Sequence, residues 1–218
     1  MDYQLPQNPI LSTAWMVKAL VWYCGDDRKG STHSTNKVLE WVGKTPLDTS
    51  PENTEAREML TLQIIELLFK VVYPPFNDYD SAIRLVECAL TVHVDRDKTA
   101  FMEQTREQLY IVRDNPVRQT VLKVKFLLEA GHNNPARDTD QALEWVRQTP
   151  LDDSPEQLEA REMLAERMRG LAVKLAQAPF YAPEAALRLL ECALNLHLGQ
   201  DIRALLEEIR RDISQKTA

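Results

Sequence analysis

Glycine is scarce in this chain, six residues in 218, and aromatic side chains make up only 7% of it. With twelve prolines besides, collagen-like and low-complexity classes are excluded. Cysteine is scarcer still: Cys24, Cys88 and Cys192 are an odd set spread over the full length. They cannot form a disulfide framework, so a reducing, cytoplasmic setting is the expectation. Long apolar runs are missing. The most apolar N-terminal stretch, Ala14 to Cys24, contains Lys18 and is about half the length a bilayer-spanning helix needs. No basic segment precedes it, which reads as an untargeted chain without membrane contact. A basic excess is absent too, since 26 Lys and Arg face 33 Asp and Glu for a net charge of −7. That balance works against a protein whose main task is neutralising a phosphate backbone.

What is present is a tandem duplication. Leu39-Glu40-Trp41-Val42, Thr45-Pro46-Leu47-Asp48, Ser50-Pro51-Glu52 and Glu55 to Leu60 recur in order, without a gap, from Leu143 to Leu164. Pro75-Phe76 recurs as Pro179-Phe180, Glu87-Cys88-Ala89-Leu90 as Glu191-Cys192-Ala193-Leu194, and His93 as His197, all 104 residues on. About half of the positions between Lys37 and Val94 are identical to their counterparts. Periods of this kind mark repeated supersecondary units. The division that follows is a leader over 1–11, a first unit over 12–114 and a second over 115–218.

Each unit reads as helices interrupted by proline. Val17, Leu20, Val21 and Cys24 keep helical spacing up to Gly25-Asp26-Asp27. Helices near 35–44 and 139–148 stop before Pro46 and Pro150, because a residue ahead of proline is pushed out of the helical region. Ser50-Pro51-Glu52 and Ser154-Pro155-Glu156 supply a capping side chain, a first-turn proline and a carboxylate facing the helix dipole. Long helices follow, ending near Tyr73-Pro74 and Ala178-Pro179; others are expected at 78–93, 182–198, 97–113 and 201–214. Period-2 runs flanked by turn residues are lacking. The expectation is an all-α chain of about ten helices in tandem-duplicated antiparallel hairpins.

The stripe Ala186, Leu190, Ala193 and Leu194, with Leu187 beside it, and its counterpart Ala82, Val86, Ala89 and Leu90 let a neighbouring helix approach closely. This pattern resembles the second helix of a tetratricopeptide (TPR) hairpin. Asp140-Gln141-Ala142-Leu143 with Val146 is similar, and 104 residues is close to three units of about 34. A TPR-like α-solenoid and a duplicated helical bundle are the two forms this leaves open. The resemblance implies a concave surface that grips a peptide or a partner helix.

The two ends of the chain differ. Ile202, Leu205, Leu206, Ile209 and Ile213 make one apolar stripe opposite Arg203, Glu207, Arg210 and Arg211, as a solvent-facing terminal helix should. The first helix has Trp15, Met16, Val17, Ala19, Leu20, Val21, Trp22 and Tyr23, with Lys18 its only charge. An apolar surface all round needs cover on both sides: either the leader folds back over it, or Trp15, Leu20, Trp22 and Tyr23 anchor a partner or a second copy. Leu62 to Phe69 is also far more apolar than Glu166 to Val173. That difference implies more burial in the first unit, or a partner that covers it.

Motifs for chemistry are weak. Gly25 to Thr32 approaches a phosphate-binding loop, but Lys29 precedes the second glycine and two aspartates would repel phosphate. Cys88 with His93, and Cys192 with His197, are five apart, which turns roughly 140° around a helix and separates the side chains. A structural thiol is the expectation. Asp78-Tyr79-Asp80 lacks the glycine and closing glutamate of a calcium loop. Glu66 has no acidic counterpart to form an acid–base pair. The retained run Glu55, Arg57, Glu58 and its copy Glu159, Arg161, Glu162 reads as a solvated face. The retained cations Lys70, Lys174, Arg84 and Arg188 could line a groove that takes an acidic peptide.

The composite expectation is a non-enzymatic adaptor or regulatory scaffold without cofactor or metal, binding another protein, a peptide or itself. A nucleic-acid-binding helical repeat and an enzyme with a site at the junction of the halves are the alternatives.

Overall fold

A computed structural model describes residues 7–23, 28–92, 96–129 and 134–217. The described residues form ten α-helices and one short 3-10 turn, with no strand. The chain divides into two compact units, 1–114 and 115–218.

The first unit holds α1 (Pro9–Tyr23), α2 (Arg28–Lys44), α3 (Thr54–Val72), α4 (Tyr79–Val92) and α5 (Arg96–Arg113). The second holds α6 (Pro116–Glu129), α7 (Pro135–Gln148), α8 (Pro155–Ala176), α9 (Pro183–Leu194) and α10 (Gln200–Thr217). Packing is interleaved and largely the same in both, with α10 also touching α8 in the second unit. α1 lies mainly on α3, α3 on α4, and α4 also touches α2 and α5; α6 to α10 repeat that order.

α1 starts at Pro9, inside the stretch read as a leader. Asn8 Oδ1 accepts hydrogen bonds from the Ile10 and Leu11 amides at 2.9 and 3.2 Å, with Pro9 in the first turn. Asn115 and Pro116 do the same for α6, with Asn115 Oδ1 accepting from the Arg118 amide at 3.0 Å. This is an N-cap followed by the residue best suited to N1. The duplication therefore extends to the first helix of each unit. Pro9 and Pro116 stand 107 residues apart instead of 104, because α1 and α2 are one and three residues longer than α6 and α7 while the stretch between them is one shorter. Thr13 and Thr45, 32 residues apart, bring their hydroxyls to 2.6 Å; Thr120 and Thr149, 29 apart, bring theirs to 2.5 Å.

Other boundaries moved for local reasons. α2 begins at Arg28 and α7 at Pro135, earlier than proline and charge spacing indicated. Gly30, Ser31 and Thr32 are poor helix formers, but Ser31 and Thr32 donate to Asp78 at 2.7 and 3.0 Å and hold the first turns against α4. Ser50 and Ser154 do not cap with their side chains. Their own amides donate to Asp48 and Asp152 at 2.8 and 2.9 Å. α9 stops at Leu194, short of residue 198, with Asn195 as C-cap. The chain then turns Leu196 into the core and His197 into the left-handed region at φ 53°.

The centres of the two cores match. Leu60, Ile64, Leu67, Leu85 and Met102 are buried in the first unit; Leu164, Met168, Leu171, Leu189 and Leu206 take their places in the second. Each such side chain contributes about 2 kcal/mol on burial. Thr35 and Thr139, also equivalent, are fully buried with hydroxyls lacking a partner among the described residues. A buried unpaired hydroxyl is a net cost. Thr139→Val is thus expected to stabilise the chain by about 1 kcal/mol, seen as a higher urea midpoint at unchanged m-value; a lower midpoint would show that the hydroxyl is satisfied.

The hairpin turns α3–α4 and α8–α9 are alike as well. Pro74–Pro75 and Ala178–Pro179 are cis, and Asn77 and Tyr181 sit at φ 48° and 45°. Asparagine tolerates that region; for a tyrosine it costs about 1–2 kcal/mol.

Candidate interaction surface

α1 is built with two unlike faces. Ile10, Ala14, Val17 and Val21 recur at helical spacing, are buried and meet α3. On the far side Trp15 is 47% exposed, Trp22 74% and Tyr23 85%. Trp15 and Trp22 are seven apart and so share one face. Lys18 lies between them, with its ammonium 5.1 Å from the centre of the Trp15 ring, a cation–π contact that leaves Trp22 open. Leu20 is half-buried at the edge of the stripe. Of the stretch from Tyr3 to Leu11 expected to fold back over α1, residues 3–6 lie outside the described residues and Pro9 to Leu11 belong to α1 itself.

α3, packed beside α1, adds to the apolar surface. Met59, Leu62 and Phe69 are exposed on it. The expectation that the extra apolar residues of this helix mark deeper burial is therefore corrected. The core positions are equivalent in α3 and α8, and the surplus lies on the outside. Glu66 stands among them, exposed.

Of the retained cations, Lys70, Lys174 and Arg188 have partners within their own units. Lys70 donates to the carbonyl of Val21 at 2.7 Å, and Lys174 to that of Leu128 at 2.6 Å. Each ammonium closes the C-terminal end of the first helix of its unit, where free carbonyls and the helix dipole favour a cation. Arg188 reaches Asp140 at 2.8 Å, with both side chains exposed, and Arg84 is exposed. The double substitution Lys70→Ala plus Lys174→Ala thus reads out helix anchoring before any groove.

No protein-family model matches the chain, and neither a curated protein nor a solved structure does. The assignment of a role rests on these side chains.

The chemistry candidates dissolve into structure. Burial pushes the Cys88 thiol up to about 11 and raises that of Cys192 against the opposing pull of Arg147, which suppresses the thiolate a nucleophile or metal ligand would need. Cys24 and His93 lie outside the described residues; His197 is exposed, with Nδ1 3.6 Å from Asp153. Among the described residues no group of three His, Cys, Asp or Glu is placed to hold a metal ion. None of the described helices is long and apolar enough to cross a membrane. Gly25 to Asp27 fall outside the described residues, and Ser31 and Thr32 of the same motif bond to a carboxylate where phosphate binding would require an anion site.

Two residues were missed. Arg57 and Arg161 are buried, not part of a solvated face. Arg57 Nε donates to the Val92 carbonyl at 2.9 Å, closing α4. Arg161 Nη1 donates to the carbonyls of Asp152 and Ser154, the latter at 3.2 Å. Their retention in both copies was the signal that could have found them.

Proposed function

We propose that the protein is a non-enzymatic interaction module in which α1 docks another protein or a second copy of the chain. The observation that carries this is the outer face of α1, where Trp15 and Trp22 are exposed one above the other. Large exposed aromatics at a shared face are the side chains that most often anchor an interface. The equivalent positions of α6 hold half-buried Leu122 and exposed Glu129, so the aromatic face belongs to one copy of a duplicated unit. That asymmetry supports a docking role, because packing shared by both units does not require it.

Truncating one aromatic anchor costs an interface about 2 kcal/mol or more, and two weaken binding by a hundredfold or more. Trp15→Ser plus Trp22→Ser is expected to abolish partner recovery in affinity capture, or to convert a dimer to a monomer in light scattering. Circular dichroism and urea midpoint should stay unchanged, since neither ring is in the core. Recovery of the same partners at the same mass by the double variant would overturn the reading.

A further inference from the structure

The two units differ at one place in a way that opens a cavity. In the first, Tyr79 begins α4 with its ring buried, and Leu109 and Val112 of α5 are buried too. Burial, with a smaller contribution from Tyr73, raises the pKa of this phenol. In the second unit Pro183 stands where Tyr79 does, Gln177 where Tyr73 does, and Lys216 where Val112 does. A cleft of about 510 Å³ lies there, lined by these three residues with Val173, Ile209 and Ile213. Its walls are mostly apolar, and its size is that of a ligand site.

Two further features mark it. Tyr181 lines the cleft, 73% exposed, on a backbone at φ 45° that a tyrosine seldom adopts; strain of this sort collects at binding sites. Asp212 and Lys216 also line it, both exposed and one turn apart on α10. The first unit has uncharged Gln108 and Val112 at those positions. The second copy thus has Gln177 and Pro183 in place of two tyrosine rings, and one charge of each sign around that space.

We propose that this cleft receives an aromatic side chain of a partner peptide, with an acidic residue near it meeting Lys216 and a basic residue meeting Asp212. The sister unit suggests the occupant, since a buried phenol ring stands at the position equivalent to Pro183. The cleft is lined entirely by residues of the second unit, and its test does not depend on docking at α1.

The test is a 15N correlation-spectrum titration of the full chain with acetylated, amidated pentapeptides reading Lys-Gly-Tyr-Gly-Glu and its reverse. At least one is expected to shift the Val173, Tyr181 and Ile213 amides and to bind tenfold or more tightly than its serine-for-tyrosine version. Pro183→Tyr, which restores the ring of the first unit, is expected to weaken binding at least tenfold. Lys216→Val, on the rim, is expected to remove the preference for a charged over an all-neutral peptide. The spectra report folding of each variant. No shift at the cleft with either peptide, or wild-type affinity in a folded Pro183→Tyr protein, would overturn the proposal. Equal affinity for N-acetyl-tyrosinamide would reassign the cleft to a small aromatic molecule and overturn the peptide assignment.

Discussion

Asp78→Ala is expected to cost the first unit about 3 kcal/mol and to speed amide exchange in α2 and α4 while leaving α7 and α9 unchanged. The Asp78 carboxylate is buried and accepts hydrogen bonds from the Ser31, Thr32 and Ser81 hydroxyls at 2.7, 3.0 and 2.6 Å. It also accepts from the Ser81 amide at 3.1 Å, as an N-cap does. Its removal takes away a helix cap and the tie between α2 and α4 together. The second unit has Ala182 at this position, which serves as an internal control.

The same residue sets an acid dependence. Burial pushes its pKa up, but the bonds from Ser81, Ser31 and Thr32 outweigh that and hold the carboxyl below the ordinary carboxylate range. A depressed folded pKa means that the contribution is fully present above the unfolded value of about 3.9 and is lost as pH falls through the folded one. Protection of α2 and α4 should therefore decline below about pH 4, and Asp78→Asn should flatten that decline. An unaltered pH profile in the asparagine variant would show that other carboxylates govern it.

Arg161→Ala is the second large effect, expected at about 2–4 kcal/mol. The guanidinium is 3% exposed and holds the loop ahead of α8 through two carbonyls. Truncation removes those bonds and the packing of the aliphatic stem. Arg161→Lys should recover only part, because both carbonyls accept from the single nitrogen Nη1, which lies farther along the side chain than a lysine ammonium reaches. The urea midpoint would order the three proteins native, lysine, alanine; an alanine variant within about 0.5 kcal/mol of native would mean that the loop is held by other contacts.

Much of this architecture was legible in the residues. The repeated blocks from Leu39 and Leu143 fixed the duplication, and proline with apolar spacing located most helices within a few residues. What could not be read followed from contacts between distant positions. The first turns of α2 form because Asp78, far along the chain, engages their hydroxyls. Arg57 and Arg161 look like members of a charged surface run until Val92, Asp152 and Ser154 present their carbonyls. Lys70 and Lys174 are retained for the ends of α1 and α6. The exposed aromatic side of α1 was foreshadowed by composition, since a helix with one charge among its apolar residues must leave some of them uncovered. The cleft beside Pro183 was hidden, being a difference between copies where attention falls on what they share.

The hydroxyl pairs Thr13–Thr45 and Thr120–Thr149 meet at nearly the same distance although three more residues separate the first pair. The extra length is helical: α1 and α2 are one and three residues longer than α6 and α7, the stretch between them is one residue shorter, and the clasp is kept. Three residues added at the start of α7 should accordingly be absorbed as further helix, lengthening the second unit toward the dimensions of the first without disturbing the clasp at its base.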